Sequence, residues 1–337
     1  MTQTADLLER MREAVENDLI ASIHIFREEL PAELLEMLEY HLGWRDGDDG
    51  SQGKRIRPLL NVLCCGAVGG DWHLSLPAAS SLELIHNFSL IHDDIEDQSE
   101  TRRGRQTVWK RWGIARAVNA GDSLFVIARL TASRLWNRGV APELVSSTLD
   151  ILDQACLKLT IGQELDLSFE ELESVSIDAY LDMIKGKTAS LISAATLCGG
   201  IIAAVTDEIC NKLRDYGHHL GMAFQIQDDI LGIWGSPSKT GKSSGDDLRA
   251  RKKTLPILFG LIHSAEFKEL WLSDEADDET LDAQKISLER SGAKEFARNA
   301  VERHTQSAQA ALGALQMQEP YGEALTRLTS QLLHRQS

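Results

Sequence analysis

The sequence predicts an all-α fold: a single domain of about ten or more helices packed on one another. Three observations predict it. Apolar residues recur at spacings of three and four over residues 7–26, 144–167 and 325–335, the period of a helix with one buried face. No convincing run alternates apolar and polar residues as a half-buried strand would. Pro31, Pro77 and Pro142 each stand at or near the first turn of an expected helix, where a missing N–H leaves no bond unmade.

The elements follow in order. After the first amphipathic stretch, WRDGDDGSQG (44–53) and GAVGGDWHLSLP (66–77) read as loops. SSLELIHNFSLIHDDIED (80–97) reads as a helix, NRGVAP (137–142) as a loop, and 144–167 as a further helix. TASLISAATLCGGIIAAVT (188–206) carries no charge for nineteen residues, barely the length of a bilayer span. Its Gly199-Gly200 pair and its serines and threonines favour two buried helical segments with a bend. GSPSKTGKSSGDD (235–247) is a loop, and SDEADDETLD (273–282) a solvated surface segment. No linker separates domains, so 1–337 reads as one domain.

Composition narrows the function. Of 337 residues 43% are hydrophobic, and 35 Lys+Arg against 51 Asp+Glu give a net charge of −16. Such a chain is a poor general binder of nucleic acid or anionic membranes. Its basic residues cluster locally, in GKRIRP (53–58), RRGR (102–105) and RARKK (249–253), which suits a small anionic ligand. Five cysteines, an odd number without a CxxC, indicate neither a zinc site nor a disulfide framework. Free thiols and an N-terminus without a signal-peptide pattern point to the reducing cytoplasm.

Two segments carry chemistry. On a helix over 80–97, Asp93 and Asp97 lie one turn apart on one face, with Asp94 about 100° round. Like charges so placed repel unless a cation lies between them, and hard oxygens at this spacing suit Mg²⁺. GMAFQIQDDILGIWG (221–235) repeats the device, with Asp228 and Asp229 ending an apolar stretch and Gln225 one turn back. Two aspartate pairs leaving apolar helices are expected to face one cavity, with divalent cations between them seating a diphosphate. Arg102, Arg103, Lys187, Lys242 and Lys252 stand beside these pairs or in glycine-containing loops, as phosphate partners do. Lys54 and Arg57 with Arg103 can form a second, metal-free anion site. His86 lies two turns before the first pair; the other histidines singled out, His24, His41, His73, His218, His219 and His263, show no ligand spacing and read as structural or exposed. Trp109 and Trp112 read as packing residues, GDSLF (121–125) lacks a nucleophile elbow, and GAVGG (66–70) lacks the strand of a dinucleotide loop.

With these residues assembled, the chain resembles the trans-isoprenyl diphosphate synthases, the polyprenyl synthetase family. The motif-bearing region runs from GKRIRP to KKTLP, about 53–256, through ELIHNFSLIHDDIEDQSETRRGRQT, GQELDL, KGKT, FQIQDDILG and GKSSGDDLRARKKT. The resemblance implies antiparallel helices around a deep central cavity (the isoprenoid synthase fold), three Mg²⁺ ions, for which Mn²⁺ can substitute, and a homodimer. It assigns Asp93, Asp97 and Asp228 to the metal, with Asp94 and Asp229 supporting. It assigns Arg102, Lys187, Lys242 and Lys252 to an allylic diphosphate (dimethylallyl, geranyl or farnesyl). Lys54, Arg57, His86 and Arg103 fall to isopentenyl diphosphate, and Gln163, Thr188 and Gln225 line the cavity. The chain departs from the pattern at three places: Gly232 replaces the last acid of the second motif, Ser243 follows GK, and Gln106 follows RRGR.

The activity this implies is head-to-tail condensation of isopentenyl diphosphate with the allylic diphosphate. Phe88, five residues before Asp93, is expected to floor the growing chain, and Ser89 beside it to leave some room. With no insertion in DDIED, this pattern implies mainly the C20 product, geranylgeranyl diphosphate, with C15 farnesyl diphosphate as the alternative. A class I terpene cyclase would share DDxxD but need no second diphosphate site. A non-catalytic partner subunit would be expected to have lost aspartates or lysines.

Overall fold

The structure is a computed structural model that describes residues 3–45, 53–235, 245–273 and 277–333. Helices account for nearly all of it. The chain divides into two compact units, one comprising Met1–Gln154, Ala194–Leu213 and Leu315–Thr326, the other Ala155–Ser193, Arg214–Ala314 and Arg327–Ser337.

In the first unit, helix α1 (Gln3–His24) buries Leu7, Met11, Val15, Leu19 and Ile23 along one stripe. Helix α2 (Ala32–His41) starts after Pro31, and α3 (Ile56–Ala67) takes Pro58 in its first turn. Helix α4 (Leu76–Glu96) is buried without interruption from Leu76 to Ile85, packed against α1, α3 and α6 (Ile114–Ser133). From His86 onward its exposure alternates, so the buried shaft ends in a partly open, acidic tip. Among the described residues the strands are confined to a hairpin of Thr101–Arg102 and Arg105–Gln106. It is only two residues long on each side, too short to show a period in the sequence.

Helix α5 (Val108–Trp112) is followed by α6, and then by α7 (Pro142–Glu171), which Pro142 opens. In the second unit α8 (Ile177–Ile184) is capped by Ser176, whose hydroxyl accepts from Ala179 N–H at 3.1 Å. A π-turn over Lys185–Ala189 leads directly into α9 (Ser190–Ile202). Gly199-Gly200 does not split this stretch into two helical segments: α9 continues through both glycines and ends at Ile202. The glycines serve close approach instead. A Cβ on Gly199 would lie 2.6 Å from Asn61 O, and one on Gly200 2.6 Å from Leu213 Cδ1. Among the described residues no helix is long and apolar enough to cross a membrane.

Helix α10 (Asp207–Trp234) carries the second aspartate pair. After it come α11 (Asp246–Arg249), α12 (Leu255–His263), α13 (Ala265–Leu272), α14 (Asp278–Arg290) and α15 (Ala293–Gly313), and α16 (Tyr321–Leu333) follows. Ile233, Leu248, Ile257, Phe267 and Leu288 form a core beneath α10's end. Part of the expected acidic surface segment is helical: Asp277 caps α14, accepting from Thr280 N–H at 2.8 Å, so the acids complement the helix's positive end.

Candidate active site

In the first unit, Asp93 sits partly exposed on the last turn of α4, and Asp97 N–H donates to its carbonyl at 2.8 Å. The two carboxylates therefore have the expected one-turn spacing. Asp94 turns inward and is 2% exposed. Its Oδ1 accepts from Arg102 Nε and Nη2, both at 2.8 Å, while Oδ2 is buried with no hydrogen bond among the described residues. Burial pushes Asp94 up to about 6, opposed by Arg102 and reinforced by Asp97.

The short hairpin presents the arginines. Arg103 (φ 53) and Gly104 (φ 76) form its tip, a left-handed pair that a tight turn requires. Arg105 donates to Tyr40 O at 2.6 Å and lies over the Tyr40 ring at 4.3 Å, fixing the hairpin's base to α2. Trp109 is a structural prop as expected, donating to Ser99 O at 2.9 Å. Trp112 packs edge-on to Tyr40 at 5.1 Å.

GKRIRP folds around its middle arginine. Arg55 is buried and donates to Glu83 at 2.9 Å, to Glu16 at 3.0 Å and to Leu42 O at 2.9 Å. That anchor leaves Lys54 exposed and puts Arg57 in the first turn of α3. Gly53 (φ +75) is needed twice over: a Cβ there would lie 2.8 Å from Arg103 Nη2. The loop and the hairpin tip thus meet at this glycine. Burial holds His86 well below the ordinary imidazole range, with Arg57, Arg103 and Arg102 adding to it. His41 is depressed likewise by burial, then by Arg102, Arg103 and Arg105. Imidazoles held neutral by burial, with several arginines adding to the effect, mark a positive field, the environment a diphosphate needs. Phe88 meets the Phe125 ring at 5.2 Å and His92 at 5.8 Å. Ser89 is buried and donates to His86 O at 2.8 Å.

In the second unit, Asp228 is partly exposed on α10 while Asp229, 3% exposed, points inward. Asp229 accepts from the Tyr180 hydroxyl, from Gln225 Nε2 at 3.0 Å and from Leu255 N–H at 3.4 Å. Burial pushes its carboxyl up to about 8; Tyr180 opposes this and Asp247 adds to it. Gln225 in turn accepts from Thr188 Oγ1 at 2.7 Å. Thr188 and Lys187 ride on the π-turn, an irregularity found often at functional sites. Its backbone touches α7: a Cβ on Gly162 would lie 2.2 Å from Lys187 N, and one on Gly186 2.7 Å from Lys158 O. Lys187 Nζ pairs with Asp166 at 2.5 Å. Gln163 is buried, and Lys252 is exposed with its N–H on Asp247 O at 2.9 Å. Lys242 and Ser243 lie outside the described residues.

Tyr180, Asp166, Asp247 and Arg55 drew no notice in the sequence, and His41, read there as structural or exposed, is buried. Asp166 and Asp247 lie inside the quoted motifs GQELDL and GKSSGDDLRARKKT, where the glycines and lysines drew attention. Tyr180 lies seven residues before Lys187, two turns away, with no local pattern to mark it.

The outward carboxylates of each unit suit magnesium: Asp93 and Asp97 at the tip of α4 in the first, and Asp228 on α10 in the second, are hard oxygen donors that are not buried. Among the described residues no three His, Cys, Asp or Glu side chains form a preformed metal cage. Mg²⁺ commonly takes one or two carboxylates and completes its shell with water and phosphate oxygens.

The family model described as polyprenyl synthetase matches residues 36–287. The chain belongs to the polyprenyl synthetase family. It is 39% identical over 280 residues to a (2E,6E)-farnesyl diphosphate synthase of Mycobacterium tuberculosis, covering 80% of this chain and 77% of that protein. It is also 39% identical over 266 residues to a geranylgeranyl diphosphate synthase of the same organism, covering 78% and 75%. A solved geranylgeranyl pyrophosphate synthetase from Pyrococcus horikoshii superposes with a TM-score of 0.89 at 31% identity, covering 98% of this chain and 99% of that one. These polyprenyl synthetases share the all-α isoprenoid synthase fold expected from the sequence.

Proposed function

We propose that this chain is a trans-prenyltransferase that condenses isopentenyl diphosphate head-to-tail with an allylic diphosphate, giving a short-chain all-trans prenyl diphosphate. The observation that carries the reading is the tip of α4: carboxylates one turn apart at the end of a buried helix, with an arginine hairpin directly beyond them. Family membership and relatives named farnesyl and geranylgeranyl diphosphate synthase support it.

Asp93, Asp97 and Asp228 would hold magnesium, in three ions, which supply positive charge to the departing diphosphate; Mn²⁺ would substitute. Arg102, Lys187, Lys242 and Lys252 bind the allylic diphosphate and stabilise charge as its carbon–oxygen bond breaks. Lys54, Arg57, His86 and Arg103 hold isopentenyl diphosphate, whose double bond attacks the allylic cation. Gln225 and Thr188, locked to each other and to Asp229, fix the polar wall beside Lys187. The released diphosphate takes the final proton, so no protein base is needed. Apolar helix walls exclude the water that would trap the cation. Residues 1–337 act as a single catalytic domain.

Phe88 and Ser89 favour the C20 product over C15. Replacing Phe88 with Ala should lengthen the product and Ser89→Phe shorten it, read by chromatography of the dephosphorylated alcohols. Unchanged distributions in both would remove these residues as the floor. Five buried free cysteines suit the cytoplasm. Ile114, Val118, Val126 and Leu130 expose a stripe along α6, a face suited to the second subunit of a homodimer.

The test is incubation of the purified protein with Mg²⁺ and labelled isopentenyl diphosphate. Incorporation only when an allylic primer is added supports the synthase. Conversion of the primer alone to a hydrocarbon would make it a cyclase, and no turnover a partner subunit.

A further inference from the structure

Glu83 lies three residues before His86 on α4 and is 3% exposed. A carboxylate so deeply buried needs partners, and two meet on one of its oxygens. Oε1 accepts from Arg55 Nη1 at 2.9 Å and from Asn87 Nδ2 at 3.0 Å. Asn87, fully buried one turn on, also donates to Glu83 O at 2.8 Å. Arg55 in turn donates to Glu16 Oε2 at 3.0 Å, to Glu16 Oε1 at 3.1 Å and to Leu42 O at 2.9 Å. Its φ of 46 lies in the left-handed region, which a residue with a side chain occupies only where its surroundings impose it.

Each segment that carries an isopentenyl diphosphate ligand of the proposed reaction meets this ion pair. Arg55 stands between Lys54 and Arg57 in the chain, and Glu83 shares α4 with His86. The Arg103 guanidinium lies against the GKRIRP loop, so close that a Cβ on Gly53 would be 2.8 Å from its Nη2. Burial disfavours the Arg103 cation, Glu83 favours it, and Arg55, Arg102 and Arg105 disfavour it again.

The simpler account is that Arg55 and Glu83 only brace the fold. A buried ion pair is a poor brace, because well-packed apolar residues of similar volume often stabilise as well or better. Apolar residues cannot hold several guanidinium groups together before an anion arrives. Arg55, Arg102, Arg103 and Arg105 repel one another there, and a buried carboxylate among them offsets the repulsion.

We propose that Glu83, fixed by Asn87, is a positioning residue that presets the cationic seat of isopentenyl diphosphate through Arg55 and Arg103. A seat set in advance binds its anion without the cost of gathering the cations on arrival. The inference rests on the prenyltransferase reading and adds to it a residue that touches neither substrate. Charge alone predicts the opposite sign. A carboxylate near a diphosphate repels it, so its removal would tighten binding, whereas loss of positioning weakens it.

The test is steady-state kinetics of the full-length protein with Mg²⁺, isopentenyl diphosphate and an allylic primer, circular dichroism confirming the fold. Glu83→Gln should raise the KM for isopentenyl diphosphate about 10- to 100-fold, the scale of a misplaced group. The kcat and the allylic KM should stay within about threefold of wild type, because the seat binds ground and transition states alike. Glu83→Asp, which keeps the charge, should recover most of the loss. If Glu83→Gln fails to fold, Arg55→Met with Glu83→Leu, which replaces the pair by apolar volume, decides in its place. A raised KM for isopentenyl diphosphate alone then supports the proposal, and a wild-type KM or a lost fold overturns it. An unchanged or lowered KM in Glu83→Gln, or losses shared by kcat and both KM values, overturns this inference and leaves the prenyltransferase reading standing. A wild type that transfers no prenyl group overturns both.

Discussion

Asp93 and Asp94 are neighbours in sequence but play different parts. Asp93 stays partly exposed at the helix tip, whereas Asp94 is buried against Arg102. Asp228 and Asp229 divide in the same way, with Tyr180 taking the role of Arg102. In each pair one carboxylate can meet a cation and the other anchors the helix end. Asp93→Ala or Asp228→Ala should therefore cut turnover by about 100- to 1000-fold, the scale of losing one preorganised charge-stabilising group. The melting temperature should hold or rise, since each change removes a repelling charge. Near-normal turnover of either variant at saturating Mg²⁺ would contradict this assignment. Lys54→Ala and Arg57→Ala should raise the KM for isopentenyl diphosphate with little change in kcat, because a diphosphate bound alike in ground and transition states contributes uniform binding. A rise confined to the allylic KM would mean the two sites are reversed. At this scale the outward aspartates and the loop cations were legible because charge breaks an apolar pattern visibly. Tyr180 was not, since its hydroxyl finds Asp229 only after α8 and α10 have packed.

At the scale of elements, glycine contacts position the chemistry. Gly162 and Gly186 let the π-turn bearing Lys187 and Thr188 lie directly on α7, and Gly121 leaves room for His92, whose Nε2 would be 2.2 Å from a Cβ there. Helix periods were readable in the sequence. The π-turn and the continuity of α9 through Gly199-Gly200 were not, because a glycine reads alike whether it breaks a helix or admits a neighbour. A pair of helices also carries a titrating contact. His219 Nδ1 on α10 and His304 Nδ1 on α15 stand 3.0 Å apart, with His218 beside them. Burial, then His219, His218 and Arg303, hold His304 down at about 4. His219 and His218 are lowered too, chiefly by burial, while Asp215 opposes and Lys185 adds to the effect at His218. The folded protein thus takes up protons here less readily than the unfolded chain. The stability involved is whole above pH 6.5 and is lost as pH falls through about 4. Thermal melts between those values should decline less steeply for His304→Gln than for wild type, and equal slopes would show that the contact does not report on folding.

For the whole molecule, a net charge of −16 coexists with basic groups gathered at GKRIRP and the arginine hairpin. Such a charge distribution suits a protein that takes up small anions at one place while its remaining surface repels polyanions. The fold class was legible from helical periods and proline positions. The order of the motifs along the chain is itself that of the family. Asp247's place over Gly232, where a Cβ would lie 2.0 Å from its Oδ2, was not legible, because it depends on how the residues after the second motif return to α10.

In the reaction proposed, each allylic carbon–oxygen bond broken is matched by one carbon–carbon bond to isopentenyl diphosphate, and the proton that isopentenyl diphosphate loses goes to the released diphosphate. Its most direct test is stoichiometry. With Mg²⁺, an allylic primer and isopentenyl diphosphate, diphosphate release is followed in real time while the product mass is read by mass spectrometry. One diphosphate should be released per isopentenyl diphosphate consumed, each accompanied by one added five-carbon unit. Diphosphate released from the primer without consumption of isopentenyl diphosphate would contradict it.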